Sequence, residues 1–69
     1  HTEQAVHMKN NIKQLRKDAG LLQEDLARKL GVSRQTIIAI ENNKYNPSLE
    51  LAMKTARLLG RPVEEIFYF

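Results

Sequence analysis

The 69-residue sequence predicts a single all-α domain of five short helices, and three observations lead to this interpretation. Apolar residues recur three and four positions apart along most of the chain, the spacing that places side chains on one face of an α-helix. Glycine, serine and proline separate these stretches, at positions where helices commonly begin and end. No segment alternates apolar and polar residues with a period of two, apart from a short strand that residues 67–69 could form.

The first two predicted helices each end at a glycine. Asn10 or Asn11 can cap the first helix, and Gly20 ends it. Its inward face consists of three residues at helical spacing: Ile12, Leu15 and Ala19. The second helix covers residues 23–30 and stops at Gly31. Its buried residues are predicted to be Leu26, Ala27 and Leu30.

The third predicted helix is followed by a loop rich in asparagine. Ser33 is a good N-cap for this helix, which buries Ile37 and Ile40. Residues 42–47 form the loop, because asparagine tolerates a positive φ and Pro47 discourages a helical conformation at the residue before it.

The fourth and fifth helices complete the predicted core. The fourth covers residues 48–59 and ends before Gly60. Its inward face is predicted to consist of Leu49, Ala52, Ala56 and Leu59. Pro62 fits the first turn of the short fifth helix. The inward residues there are Val63, Ile66 and Phe67.

The composition argues against an enzyme and favours a polyanionic partner. The chain has no cysteine, and its two histidines, His1 and His7, stand at the N-terminus, so we expect no metal, no cofactor and no histidine catalysis. The net charge is +3, and residues 8–47 carry eight basic and four acidic side chains, whereas residues 48–69 are balanced. Such a basic half suits a nucleic acid. No apolar run approaches the roughly 20 residues that cross a bilayer, so no membrane partner is expected. Ser33 and Ser48 have no histidine near them in the sequence, so no small-molecule substrate is expected either.

Residues 23–41 contain two helices joined by only three residues. Helices joined by so short a turn cross steeply instead of lying antiparallel. Ala27 is small where the second helix of the pair packs across the first, and Gly31 allows the turn a positive φ. This geometry holds the second helix away from the body of the domain, where it can enter the major groove of DNA.

The same stretch resembles the helix-turn-helix of the Cro/CI-type, or XRE-type, repressor family. The positions that carry the resemblance are Gln23, Ala27, Gly31, Val32, Ile37 and Ile40. The similarity extends over residues 8–67 and includes the segment ENNKYNPSLE. It implies a five-helix lambda-repressor-like fold and a sequence-specific, double-stranded DNA-binding transcriptional regulator that acts in the cytoplasm as a dimeric repressor. The alternative is an antitoxin-type module that binds a toxin partner.

The resemblance and the direction of the third helix together assign the DNA contacts. The N-terminal turn of that helix reaches base edges, and the residues expected to read bases are Ser33, Arg34, Gln35, Thr36 and Ile38. Ile38 departs from the family pattern and is expected either to contact a thymine methyl group or to fold back against the helix pair. The residues expected to contact phosphates are Gln23, Arg16, Asn42, Lys44 and Asn46. The resemblance also implies that Arg16 pairs with Glu41, which would fix the third helix and leave the guanidinium near a phosphate. The alternative is a surface ion pair worth at most about 1 kcal/mol.

Further expectations concern local departures, the dimer and the N-terminus. Leu22 stands where the family usually has a capping side chain, and Asn43 replaces a glycine of the loop.

Apolar residues exceed what one small core needs, which indicates a homodimer. The interface is predicted to contain Leu58, Phe67, Tyr68 and Phe69. Residues 1–7 show neither helical spacing nor a cap, so we expect a tag remnant or a disordered extension before the domain of residues 8–69.

Overall fold

A computed structural model describes residues 8–69 of the chain, and residues 1–7, expected to be a tag remnant or a disordered extension, lie outside the described residues. Residues 8–69 form five helices and two short strands: β1 (Lys9–Asn10), α1 (Ile12–Asp18), α2 (Gln23–Leu30), α3 (Arg34–Glu41), α4 (Leu49–Leu59), α5 (Val63–Ile66) and β2 (Phe67–Tyr68). The predicted all-α class with five helices is confirmed. None of these helices is both long and apolar enough to cross a membrane.

The helices begin and end close to the predicted positions, although α2 is capped in an unusual way. The Ser33 hydroxyl accepts a hydrogen bond from the Thr36 N–H at 3.1 Å and so caps α3. Leu22 has no side-chain acceptor for the first turn of α2, so only one of the two bonds of a capping box is present: the Asp25 carboxylate accepts a hydrogen bond from the Leu22 N–H at 2.9 Å. This bond, helped by the neighbouring Arg28, lowers the pKa of Asp25 below its ordinary value.

The core is one cluster of apolar side chains to which all five helices and β2 contribute. Its buried members are Ile12, Leu26, Ala27, Leu30, Ile37, Ile40, Leu51, Ala52, Ile66 and Phe67. The buried residues predicted for α2 and α3 are all in this cluster, so those predictions are confirmed. Because α3 contributes two fully buried isoleucines, it cannot rotate about its axis without removing them from the core.

The predicted inward face of α4 is wrong at its first residue. Leu49 is 74% exposed, whereas Leu51, Ala52 and Thr55 are buried. The Thr55 hydroxyl donates a hydrogen bond to the Leu51 carbonyl at 2.7 Å, which satisfies this polar group inside the core. Leucines at both 49 and 51 allow two phases of the helical pattern, and packing against α5 and α2 selects the second. Ala19, also predicted to be inward, is exposed at the C-cap of α1.

The two short strands bring the beginning and the end of the described chain together. They pair antiparallel, with Lys9 opposite Tyr68 and Asn10 opposite Phe67. The strand predicted within residues 67–69 is therefore present over two residues. Phe67 needs a correction, because its side chain is only 4% exposed and belongs to the core, which leaves it little surface for a dimer interface.

Asn10 ties β1 to the end of α3. Its Nδ2 donates hydrogen bonds to the Ile40 carbonyl at 2.7 Å and to Asn43 Oδ1 at 3.1 Å. Its Oδ1 accepts a hydrogen bond from the Ile12 N–H at 3.1 Å and so satisfies the first N–H of α1. Asn43 adopts a φ of +59°, the left-handed conformation expected where it replaces glycine. The N-terminal strand therefore holds the loop that follows α3.

A buried ion pair joins α1 to the last residue of α3. Arg16 Nε donates to one carboxylate oxygen of Glu41 at 2.7 Å, and Nη2 donates to the other at 3.2 Å. The third nitrogen, Nη1, donates to the Leu21 carbonyl at 2.9 Å. The two side chains are only 8% and 3% exposed, so the expectation of a surface ion pair is wrong. Removing one partner of a buried pair costs about 3–5 kcal/mol, far more than breaking a surface pair.

Replacing Arg16 with methionine is expected to lower the free energy of unfolding by about 3–5 kcal/mol, because the Glu41 carboxylate would stay buried without a charged partner. The double variant Arg16→Met/Glu41→Leu should recover most of this loss, since no buried charge remains. Urea unfolding followed by circular dichroism measures both. The exposed pair between Lys54 and Glu50, 3.1 Å apart on α4, supplies the control: Lys54→Met should change stability by less than about 1 kcal/mol. Equal losses in Arg16→Met and Lys54→Met would contradict burial as the cause.

Candidate nucleic-acid interface

Residues 31–33 form the turn that joins α2 to α3. Gly31 has a φ of +76°, and the Val32 N–H donates a hydrogen bond to the Ala27 carbonyl at 3.0 Å, so the turn closes over the end of α2. Ala27 is 4% exposed, and its small side chain allows α3 to cross closely over α2. One face of α3 is consequently buried against α2, and the opposite face is open to solvent.

The open face of α3 carries the residues expected to read bases. Ser33, Arg34 and Gln35 are exposed, and Thr36 is half-buried. The hydroxyls of Ser33 and Thr36 are hydrogen-bonded to each other at 2.9 Å, which keeps both side chains close to the helix cap. Arg34 and Gln35 are therefore the side chains of this turn that reach farthest from the backbone.

Ile38 lies one turn further along α3. It is half-buried, and it is not among the half-buried apolar side chains that pack on the core. Its neighbour Ile37 is fully buried, as is Ile40. Ile38 therefore keeps apolar surface available for contact with a partner of α3.

Gln23, at the start of α2, links the buried ion pair to the exposed end of α3. Its amide nitrogen donates a hydrogen bond to Glu41 Oε1 at 3.1 Å, and its amide oxygen accepts one from Arg34 Nη2 at 3.5 Å. Gln23 was expected to contact a phosphate, and in the free protein both ends of its amide are instead occupied by these neighbours. The chain from Glu41 through Gln23 thus orients the exposed Arg34 guanidinium.

Two further residues expected to contact phosphates, Arg16 and Asn46, also have partners within the protein. Arg16 is 6% exposed, and its guanidinium is bound to Glu41 and to the Leu21 carbonyl. In the free protein Arg16 therefore has a structural role, and its contact with a phosphate stays a prediction. Asn46 is exposed, but its Oδ1 accepts a hydrogen bond from the Met8 N–H at 2.8 Å and so holds the segment before β1.

Asn42 and Lys44 are exposed directly after α3. Asn42 is the C-cap residue of the helix, and the Lys44 N–H donates a hydrogen bond to the Ala39 carbonyl at 2.9 Å, a bond typical of a Schellman cap at the C-terminus of α3. Lys44 makes no ion pair with any residue from 8 to 69. Its ammonium group is therefore available beside the open face of the helix.

The charge of this surface comes mainly from basic side chains. Arg34 and Lys44 are exposed at its two ends, whereas the carboxylate of Glu41 is buried beneath it. Glu24 is the acidic residue at its border. No group of three or more His, Cys, Asp or Glu side chains within residues 8–69 could hold a metal ion. The surface favours an anionic partner.

Two shallow depressions flank the N-terminal half of α3. One of about 320 Å³ lies toward the start of α2 and is lined by Arg16, Leu22, Gln23, Glu24 and Arg34. The other, of about 400 Å³, lies toward the following loop and is lined by Ser33, Gln35, Thr36, Ala39, Lys44 and Tyr45. Tyr45 is 47% exposed and was not among the expected DNA contacts. Its place beside Lys44 in the sequence is the signal that could have indicated it.

Three of the four residues predicted for a dimer interface are exposed. Leu58 and Tyr68 are each 39% exposed and Phe69 is 81% exposed, whereas the fourth residue is the core phenylalanine described above. A second apolar strip, formed by Leu49 and Met53 on α4, is also exposed, although Leu49 was predicted to be buried.

Comparison with known proteins agrees with this geometry. The sequence profile of the helix-turn-helix family matches residues 12–66. An uncharacterized HTH-type transcriptional regulator from Methanocaldococcus jannaschii is 60% identical over 62 residues, which cover 90% of this chain and 94% of that protein. The cryptic phage CTXphi transcriptional repressor RstR from Vibrio cholerae is 35% identical over 57 residues, which cover 83% of this chain and 51% of the repressor.

Similarity to a solved structure confirms the predicted lambda-repressor-like fold. The crystal structure of the restriction-modification controller protein C.AhdI from Aeromonas hydrophila superposes with a TM-score of 0.71 at 33% identity, covering 78% of this chain and 82% of C.AhdI. These similarities place the chain in a DNA-binding class and not in an enzymatic one. The chain belongs to the Cro/CI-type, or XRE-type, helix-turn-helix family of transcriptional regulators.

Proposed function

We propose that this regulator is a repressor that binds specific double-stranded DNA sequences as a homodimer in the cytoplasm. The observation that carries the proposal is the arrangement of α3, whose inner face is fixed in the core while Arg34 and Gln35 are exposed at its N-terminal turn. A recognition helix of this class lies in the major groove with its N-terminal residues against the base edges. The similarity to the phage CTXphi repressor supports repression as the mode of regulation.

Arg34 and Gln35 are the residues that we assign to base recognition. A guanidinium can donate two hydrogen bonds to O6 and N7 of guanine, and a glutamine amide can pair with N6 and N7 of adenine. The contact between Arg34 and Gln23 supports this role, because a side chain that is already oriented loses less freedom on binding. Ser33 and Thr36 contribute hydroxyl groups to the same turn of the helix.

Lys44 and Asn42 are the residues that we assign to the DNA backbone. Each lysine that neutralises a phosphate releases condensed counterions, so its contribution depends on salt and not on sequence. Both residues are exposed in the segment that follows the recognition helix. The sugar-phosphate backbone at the edge of the major groove would pass beside this segment. Gln23 would join them only by exchanging its internal partners for a phosphate.

Leu58, Tyr68 and Phe69 are the residues that we assign to a two-fold dimer interface. They are exposed apolar side chains, and symmetric dimers are the commonest oligomers of soluble proteins. Two copies of α3 related by a two-fold axis would contact half-sites about 34–36 Å apart, or one turn of DNA. A single small domain makes few contacts, so dimerisation would also raise the affinity for an operator.

Substitutions of Arg34 and Lys44 should separate recognition of bases from contact with the backbone. On the best duplex selected from a random pool, Arg34→Ala should cost about 1–3 kcal/mol of binding free energy, and much less on unrelated DNA. Lys44→Ala should weaken binding to every duplex alike and make the salt slope shallower by about 1. Titrations at several salt concentrations measure both effects. Arg57→Ala, which removes the same charge from α4 outside both depressions, is the control and should leave sequence preference unchanged. Equal weakening of all duplexes by Arg34→Ala would reassign Arg34 to the backbone.

Ile38 is expected to contact the methyl group of a thymine. Burying most of its side chain would contribute on the order of 1–2 kcal/mol, so replacing one thymine of the half-site with uracil should weaken binding by wild type by up to that amount. Ile38→Ser should be nearly indifferent to the same replacement and should melt at nearly the wild-type temperature. A large drop in melting temperature, or equal sensitivity of both proteins to uracil, would show that Ile38 acts through the core instead.

The double variant Leu58→Ser/Phe69→Ser should sediment as a monomer at concentrations at which wild type is a dimer. Because the second half-site is then no longer tethered, affinity for a two-fold symmetric duplex should fall on the order of a hundredfold. Leu49→Ser provides the matched control, since it removes an exposed leucine outside the proposed interface. If Leu49→Ser dissociates the dimer and the double variant does not, the interface lies on the N-terminal half of α4.

A further inference from the structure

Tyr45 occupies an unusual place for an aromatic residue. It is 47% exposed, and its side chain lines two adjoining depressions, one beside α3 and one beside the turn between α2 and α3. Its hydroxyl has no hydrogen-bond partner among residues 8–69, whereas the hydroxyl of Tyr68 donates to Asn11 Oδ1 at 3.0 Å. Because a phenol is both a donor and an apolar surface, this position presents a hydrogen-bond donor at the rim of the α3 surface.

The loop that carries Tyr45 is held on both sides. Before it, the Lys44 N–H is bonded to the Ala39 carbonyl, and Asn43 is bonded to Asn10. After it, Asn46 accepts the hydrogen bond from Met8. The backbone on both sides of Tyr45 is therefore held by hydrogen bonds, and its ring is exposed from a fixed position. A side chain on a fixed backbone loses less conformational entropy when it binds a partner.

We propose that the Tyr45 hydroxyl donates a hydrogen bond to one phosphate of the DNA backbone beside α3, while its ring forms a wall of the depression that receives that backbone. This assignment rests on the proposed DNA-binding function. The neighbouring Lys44 supplies positive charge, and Ser33, Gln35 and Thr36 form the opposite wall, so a backbone seated here would place the bases against α3. In the adjoining depression the charge of Lys54 is offset by Glu50, which lies 3.1 Å away. Lys44 has no such acidic partner among residues 8–69, so it attracts an anion beside Tyr45 more strongly than Lys54 does.

The test compares wild type with Tyr45→Phe, a change that removes only the hydroxyl of an exposed ring and should leave the fold intact. Both proteins are titrated with the selected duplex and with a series of duplexes in which one phosphate at a time is replaced by an uncharged methylphosphonate. Because a hydrogen bond to a charged group contributes substantially to binding, Tyr45→Phe should bind the selected duplex about tenfold more weakly than wild type. Its affinity for unrelated DNA should fall by a similar factor. At one phosphate per half-site, the replacement should weaken wild type about tenfold and Tyr45→Phe hardly at all.

The other phosphates of the series are the internal control, because their replacement should affect both proteins equally. Identical affinities and identical methylphosphonate profiles for the two proteins would overturn the assignment while the DNA-binding function stands. A loss of affinity in Tyr45→Ala with none in Tyr45→Phe would also overturn it, since the ring and not the hydroxyl would then make the contact. If wild type selects no duplex from the random pool, the proposed function fails together with the Tyr45 contact.

Discussion

Three hydrogen bonds from the Arg16 guanidinium hold the end of α3 against α1 and against the segment before α2. Burying two charges in so small a domain is expensive, because each loses its hydration. The arrangement is therefore tolerated only where the geometry satisfies both groups. Apolar side chains accept small shifts of packing, whereas a shift of α3 would leave a buried carboxylate unpaired. The direction of the recognition helix depends on this pair.

The same carboxylate is also linked to the surface that we propose binds DNA. Glu41 accepts a hydrogen bond from Gln23, whose amide oxygen in turn accepts one from Arg34. The exposed Arg34 guanidinium is thus connected to this buried charge through one side chain, that of Gln23. A side chain that is oriented in this way loses less conformational freedom when it binds a partner.

Most of the fold could be predicted from the sequence because helical spacing and capping residues are local signals. The inward face of α4 could not, since leucines at 49 and 51 fit the same periodicity and only packing decides between them. The burial of the Arg16–Glu41 pair was also beyond the sequence, because it depends on where α1 meets the end of α3. The exposure of Arg34 and Lys44 follows from helix direction and loop chemistry, which are readable in the sequence. The position of Tyr45 could not be predicted in this way, since it depends on how the loop after α3 lies beside the exposed face of that helix.

The pairing of β1 with β2 has a thermodynamic consequence. Asn10 on β1 holds Asn43 and the end of α3, while β2 carries Tyr68 and leads to Phe69. Whatever restricts the fluctuations of one strand restricts those of its partner, and through Asn10 those of the loop that presents Lys44. A subunit docked on β2 and a nucleic acid docked on the loop would therefore stabilise the same ordered state. Such linkage is reciprocal, so each ligand would tighten the binding of the other by the same factor, without any change in the average structure.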